Sequence, residues 1–261
     1  MLAFLICLIA STVGAIAGFG GGVIIKPVFD LLELMPVATV SFVSGCTVLA
    51  MSVSSLLRTR KSSVKLELSI ATPLAVGAAA GGLAGKWLFE LVRSGFADQS
   101  VLGALQSVCL TAMNLLVFVY VCKKESLPST RVRQPLLTLI IGVALGLVSS
   151  FIGIGGGPIN IAVLFLLFSM DAKTAAKNSI YIILFSQAAS VLSTILGGTV
   201  PAFRWTDLGL MAAGGVGGAS LGAAISKRMN ARHVEKLLVV LLVVITGISV
   251  YNTVKFLLAI G

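Results

Sequence analysis

The chain has 261 residues, 57% of them hydrophobic and 11% charged, with a mean hydropathy of +1.09. A soluble domain of this length has too little interior to hide so much apolar side chain, so the composition excludes a water-soluble globular protein. The formal charge of +10 would point to nucleic acid in a soluble protein; here the basic residues sit in short loops between apolar runs, where they orient a membrane protein, and no nucleic-acid partner is expected.

In lipid every backbone N–H and C=O must be paired internally, so long apolar runs read as helices. The alternation of a transmembrane β-barrel is absent. The predicted fold class is all-α, a polytopic transmembrane helical bundle. In chain order the apolar segments lie at about 1–18, 23–34, 37–57, 67–92 and 100–122, then at 134–152, 157–169, 174–197, 206–226 and 234–258. The first, Met1 to Gly18, lacks a basic leader region and a cleavage site and has a counterpart later, so it is read as structure rather than as a signal peptide. The second segment of each set is short, about 20 Å at helical rise, and follows a run that ends in a glycine triplet. These pairs are expected to be Gly-broken or re-entrant helices.

The two sets form a repeat. Gly18-Phe19-Gly20-Gly21-Gly22 returns as Gly153-Ile154-Gly155-Gly156-Gly157, and the same offset aligns Met35 with Met170, Thr39 with Thr174 and Ser44 with Ser179. After a short insertion Gly77, Gly81 and Gly85 match Gly214, Gly218 and Gly222, and Asn114 falls near Asn252. Residues 1–124 are read as the first transmembrane repeat, 125–133 as a basic cytoplasmic linker and 134–261 as the second repeat. Arg58, Arg60, Lys61 and Lys65 crowd the loop after the third segment, whereas its counterpart has only Arg204, offset by Asp207. Lys227, Arg228, Arg232 and Lys236 crowd the loop after the ninth segment, while around its counterpart Lys86 and Arg93 are offset by Glu90 and Asp98. If basic loops face the cytoplasm, the repeats have inverted topology, with both termini outside.

Inverted repeats around broken helices place a substrate site where the repeats meet. A helix that begins inside the membrane offers unpaired N–H groups and the positive end of its dipole, and glycine lets a solute approach the main chain. Gly20, Gly21 and Gly22 and Gly155, Gly156 and Gly157 are therefore candidate anion-binding nests. The glycines at four-residue spacing read instead as packing ridges. Polar residues at membrane depth complete the candidate substrate site: Ser44, Asn160, Asn178 and Ser179, with the amide and hydroxyl of the last two as donors to an oxyanion. Lys26, four residues past a glycine triplet, is a candidate for neutralising substrate charge. Lys173 and Lys177 read as interfacial anchors.

No carboxylate lies at the centre of a span; Asp30, Glu33, Asp171 and Asp207 fall near ends or breaks. That argues against a cation pathway and leaves proton coupling without an evident relay. The single histidine, His233, lies in a basic loop with no nucleophile and base pair, so no enzyme is expected and no catalytic residue is assigned. Cys7, Cys46, Cys109 and Cys122 have no CxxC spacing, which excludes a disulfide framework and a zinc site; no metal and no cofactor are expected.

The segments Gly14-Ala-Ile-Ala-Gly-Phe-Gly-Gly-Gly22 with Pro27, and Gly153-Ile-Gly-Gly-Gly-Pro158 followed by Asn178-Ser179, resemble the TauE/SafE family, the sulfite exporter family of bacterial membrane transporters. The resemblance covers essentially the whole chain. It implies a multi-pass protein of the bacterial inner membrane that moves a sulfur-containing anion, such as sulfite or an organosulfonate like sulfoacetate, often by export. The residues themselves reach only "small anion". The leading expectation is a secondary carrier working by alternating access; a passive anion channel, or a carrier of a different small anion, is the alternative. The partners expected are the anion and membrane lipid, while a coupling ion (proton or sodium) and a homo-oligomer stay open.

Overall fold

The computed structural model describes residues 1–60, 62–94, 99–123, 131–152 and 156–258. Among these the chain is helical, with no strand. The helices in order are α1 (Leu2–Ala17), α2 (Gly22–Leu31), α3 (Val37–Thr59), α4 (Leu68–Ser94), α5 (Gln99–Lys123), α6 (Pro135–Ile152), α7 (Gly157–Phe168), α8 (Ala172–Leu196), α9 (Trp205–Arg228) and α10 (Ala231–Leu258). Seven of them, α3 to α6 and α8 to α10, are long and apolar enough to cross a bilayer. Helices α1, α2 and α7 are shorter, with 16, 10 and 12 residues. The protein is a multi-pass integral membrane protein, and every apolar segment read from the sequence appears as a helix within a few residues of its expected bounds.

The glycine ridges set the closest contacts. Added Cβ atoms at Gly77, Gly81 and Gly85 would fall onto the carbonyl oxygens of Leu139, Val143 and Leu147, so α4 lies backbone to backbone on α6. Gly142 and Gly146 return the contact against Leu74 and Ala78. On the other side of the bundle Gly214, Gly218 and Gly222 of α9 sit on the carbonyls of Phe4, Leu8 and Thr12 of α1. Both pairs run parallel, since residue numbers rise together along each contact. Lipid supplies no hydrophobic drive between helices, so this approach, with its dispersion and Cα–H···O contacts, is what binds them.

Helices at matching places in the two halves also meet, and they run antiparallel. Lys177 near the start of α8 donates to Thr59 O at the end of α3 over 2.9 Å. At the far end Thr39, near the start of α3, donates to Ala202 O beyond the end of α8 over 3.0 Å. Gly103 near the start of α5 packs on the ring of Phe256 near the end of α10. Where the halves join, Phe19, Val23, Ile152, Ile161 and Leu164 belong to one buried apolar cluster.

Candidate functional site

The first glycine triplet breaks a helix, and the described glycines of the second, Gly156 and Gly157, open one. Helix α1 ends on Gly18 at φ 82°, and Gly20 and Gly21 follow at 76° and 73° before α2 begins at Gly22. In the second half Gly156, at φ 108°, precedes α7. These left-handed angles need glycine, because a Cβ would clash with the backbone. Gly153, Ile154 and Gly155 lie outside the described residues. The two breaks are neighbours: a Cβ at Gly157 would strike the side chain of Val23 and approach Phe19 O at 3.4 Å. The positive ends of α2 and α7 therefore lie side by side, with first-turn amides that no intrahelical acceptor can satisfy.

Each break has its C-terminal carbonyls capped from the opposite half. Ser179, fully buried two turns into α8, donates its hydroxyl to Gly18 O at 2.7 Å. At the second break the ammonium of Lys26 reaches Ile152 O at 3.4 Å and Gln106 Oε1 at 2.8 Å, while Gln106 Nε2 donates to Phe151 O at 3.1 Å. Lys26 thus serves the break of the second half, not the triplet beside it in sequence, and it offsets the negative end of α6.

The remaining candidates are mostly engaged with the backbone. Asn178, fully buried, accepts from Glu67 N at 3.0 Å and donates to Thr174 O at 2.8 Å, tying the segment before α4 to α8. Ser44 donates to Ser41 O of its own helix at 3.3 Å. Asn160, also buried, lies across the second break, where a Cβ at Gly156 would meet its amide. Gly20, Gly21 and Gly22 are buried, with Gly20 against Ile183. The structure brings Gly18, Ser179 and the start of α2 together with Gly157 and Asn160; it does not bring Ser44 or Asn178 into open space.

The open space lies elsewhere. A cavity of about 280 Å3 opens between the ends of α1, α3 and α9 and the start of α8. Lys173, Lys177 and Lys227 line it with the hydroxyls of Ser55, Ser62 and Ser226, and none of the described residues lining it is acidic. Its volume suits a ligand smaller than the drug-sized molecules that fill typical clefts. Lys177 spans from α8 to Thr59 O, Val64 O at 2.8 Å and Ser62 Oγ at 3.3 Å; Lys173 donates to Met229 O at 2.8 Å. Both ammonium groups thereby cap the negative ends of α3 and α9 while keeping their charge beside the cavity. The floor includes Ala176, whose Cα is in turn packed on Gly18. One layer of side chains separates the cavity from the first break.

Asp171 fixes the start of α8. Its carboxylate accepts from Lys173 N at 3.0 Å and Thr174 N at 3.2 Å. Partial burial pushes its pKa up, but the hydrogen bonds from Thr174 and Lys173 outweigh that and hold the carboxyl below the usual range. At the opposite end of the bundle Phe42 packs on Phe203 with centroids 5.5 Å apart, and Phe203 on Trp205 at 4.9 Å.

The cavity is what sequence reasoning missed. Lys173 and Lys177 looked like interfacial anchors; the convergence of three helix ends and one helix start turns them onto a shared space. Their counterparts at the repeat offset of 135, Ala38 (173 − 135) and Phe42 (177 − 135), carry no charge. That asymmetry between halves was the readable signal.

The description "Sulfite exporter TauE/SafE" belongs to the family model that matches residues 3–249. The chain is also 24% identical over 270 aligned positions to "Probable membrane transporter protein YunE" of Bacillus subtilis (strain 168), covering 94% of this chain and 95% of that protein. No solved structure matches.

Proposed function

Because the chain belongs to the TauE/SafE family and is a membrane transporter, we propose that it carries a small sulfur oxyanion, sulfite or an organosulfonate such as sulfoacetate, by alternating access between inverted repeats. The observation that carries the reading is the lysine-lined cavity, with no described acidic residue in its wall, that ends one side chain short of the Gly18 break. Three ammonium groups in a low-dielectric recess raise the local concentration of anions and repel cations. Beyond that layer the paired positive ends of α2 and α7 offer main-chain N–H donors to an oxyanion. The antiparallel packing of α3 on α8 and of α5 on α10 supports the inverted relationship, because an inverted repeat makes corresponding helices antiparallel.

Charge gives the side that the cavity faces. The cavity opens at the end that bears Arg58, Arg60, Lys65 and Arg228, the cytoplasmic end by the positive-inside relation. The aromatic stack of Phe42, Phe203 and Trp205 lies at the other end. A cavity open to the cytoplasm and closed beyond is the loading state of an exporter and equally the release state of an importer; export is taken from the family's printed description. Sulfur as the substrate element rests on that description; the residues select a small anion.

Counterflow in proteoliposomes tests this. Vesicles loaded with unlabelled sulfite or sulfoacetate should accumulate labelled anion transiently and saturably, and Lys173→Gln with Lys227→Gln should raise KM severalfold with folded protein retained. Flux that does not saturate and shows no counterflow would mark a channel, and flux confined to carboxylates would discard the sulfur assignment.

A further inference from the structure

Helix α2 carries two ionisable side chains one turn apart, Lys26 and Asp30, and the repeat offers nothing like them: the positions 135 further on, 26 + 135 = 161 and 30 + 135 = 165, are Ile161 and Phe165. The pair is therefore not something the fold requires of a short helix at this place. Lys26 is 5% exposed and bound to Gln106 and Ile152 O. Asp30 faces a second, much smaller cavity, about 20 Å3, shared with Lys26, Gln106, Ser249 and Asn252. That is room for a single water.

Three buried polar atoms on this cavity have no hydrogen-bond partner among the described residues: Asp30 Oδ1, Ser249 Oγ and Asn252 Oδ1. Ser249 and Asn252 are 1% and 2% exposed and lie three residues apart, on one face of α10. Asn252 is held in place because its Nδ2 donates to Pro27 O at 3.1 Å. A carboxylate oxygen and an amide oxygen can only accept, so the cavity is short of protons. One water would fill it, donating to Asp30 and Asn252 and accepting from Ser249. We propose that Asp30, with that water, is the site where the carrier takes up a proton that travels with its anion.

This inference rests on the transport reading above and adds the coupling ion to it. While Asp30 is ionised it balances Lys26 within one helix turn. Protonation of the carboxylate, a simple uptake of H⁺ onto oxygen with no other bond changed, leaves the Lys26 charge uncompensated beside Ile152, the last residue before the second break. An anion at that break is then favoured by the freed charge, so proton and anion bind together and move the same way. The other charge acting on Asp30 is Lys255 of α10, which is paired with Glu33 at 2.5 Å. Around the cavity α5 presents the uncharged Gln106 and Ser107, and α3 presents Val37; α1, also packed on α2, has one ionisable side chain, the thiol of Cys7.

The test uses purified full-length protein in vesicles preloaded with sulfoacetate, whose two acidic groups are ionised at neutral pH and carry no proton themselves. In the wild type an acid interior and alkaline exterior should speed sulfoacetate efflux severalfold over equal pH, and the interior should become more alkaline as the anion leaves. Asp30→Asn, which keeps the shape and removes the titrating group, should lose the response to the gradient and keep exchange at equal pH. If D30N does not purify folded, Ser249→Ala removes one partner of the water and no charge, and its response should be weakened. A gradient response unchanged in these variants, wild-type efflux with no interior alkalinisation, or efflux driven by sodium in place of protons would each overturn the proposal. Failure of the wild type to move sulfoacetate or sulfite under any condition would instead sink the transport reading beneath it.

Discussion

The hydroxyl of Ser179 donates to the carbonyl of Gly18 across 2.7 Å, joining the third helix of the second half to the broken helix of the first. Both groups are buried, so the bond is made out of reach of water. Gly18 O belongs to the carbonyls that a helix end leaves without an intrahelical donor. On the second break Lys26 and Gln106 do the same for Ile152 and Phe151. Each half thus holds the break of the other, and movement of one half against the other must strain or exchange these bonds.

Ser179→Ala removes the only side-chain donor to Gly18 O among the described residues. Leaving a buried acceptor unsatisfied costs about 1–3 kcal/mol, so the variant should melt several degrees below the wild type in detergent. Transport should fall more than stability alone accounts for, because the first break loses its fixed geometry. An S179A melting curve that overlays the wild type would show that Gly18 O finds another donor.

The packing ridges divide the glycines into two sorts. Gly81→Val would drive a branched side chain into the carbonyl of Val143, and Gly218→Val into that of Leu8. Both variants should fail to accumulate as folded protein. Gly247 of α10 has nothing within 4 Å of an added Cβ, so Gly247→Ala should be tolerated and raise stability by up to about 1 kcal/mol through helix propensity. Size-exclusion profiles after detergent extraction separate the two outcomes directly.

Acid should loosen the start of α8. The Asp171 carboxyl has a folded-state pKa below its unfolded value, so the stability it adds is fully present above the ordinary carboxylate pKa, about 3.9, and is lost as pH falls through the lower folded value. Asp171→Ala should cost about 1 kcal/mol at neutral pH, whereas Asp171→Asn should keep most of the cap and show a flatter stability profile on acidification. Equal acid sensitivity in D171N and the wild type would place the effect on other groups.

Asn178 should behave as a structural clasp with consequences for the cavity. Its amide ties Glu67 N to Thr174 O, one turn from Lys177 and the cavity wall. Asn178→Ala strands Glu67 N, while Thr174 O keeps its donor within α8, and should lower stability by roughly 1–3 kcal/mol. Asn178→Asp keeps the acceptor for Glu67 N and should recover part of that loss. If N178A instead leaves the melting temperature unchanged and raises KM alone, the amide meets substrate.

Much of the fold was legible because the bilayer permits few solutions. Apolar runs had to be helices, the triplets at Gly20–Gly22 and Gly155–Gly157 had to interrupt them, and glycines four apart had to lie on a contact. Those inferences depend on local spacing. The site was less legible because it depends on which half reaches which. Lys26 stands beside the first triplet in sequence yet caps the second break, and Ser179 follows the second triplet yet caps the first. Lys173 and Lys177 looked like anchors in isolation; their meaning comes from the ends of α3 and α9, which no single segment reveals. Asp30 was placed near a helix end correctly, but its solitary oxygen becomes visible only beside Ser249 and Asn252 of the last helix.

The most direct test of the central claim, that the anion occupies the lysine-lined cavity, is protection of a single cysteine there. With Cys7, Cys46, Cys109 and Cys122 replaced, Ser226→Cys should react with a membrane-impermeant thiol reagent from the side bearing the basic loops and not from the other, and sulfoacetate should slow the reaction in proportion to its occupancy. Labelling from the opposite face, or labelling at an unchanged rate under sulfoacetate concentrations that saturate transport, would contradict the account.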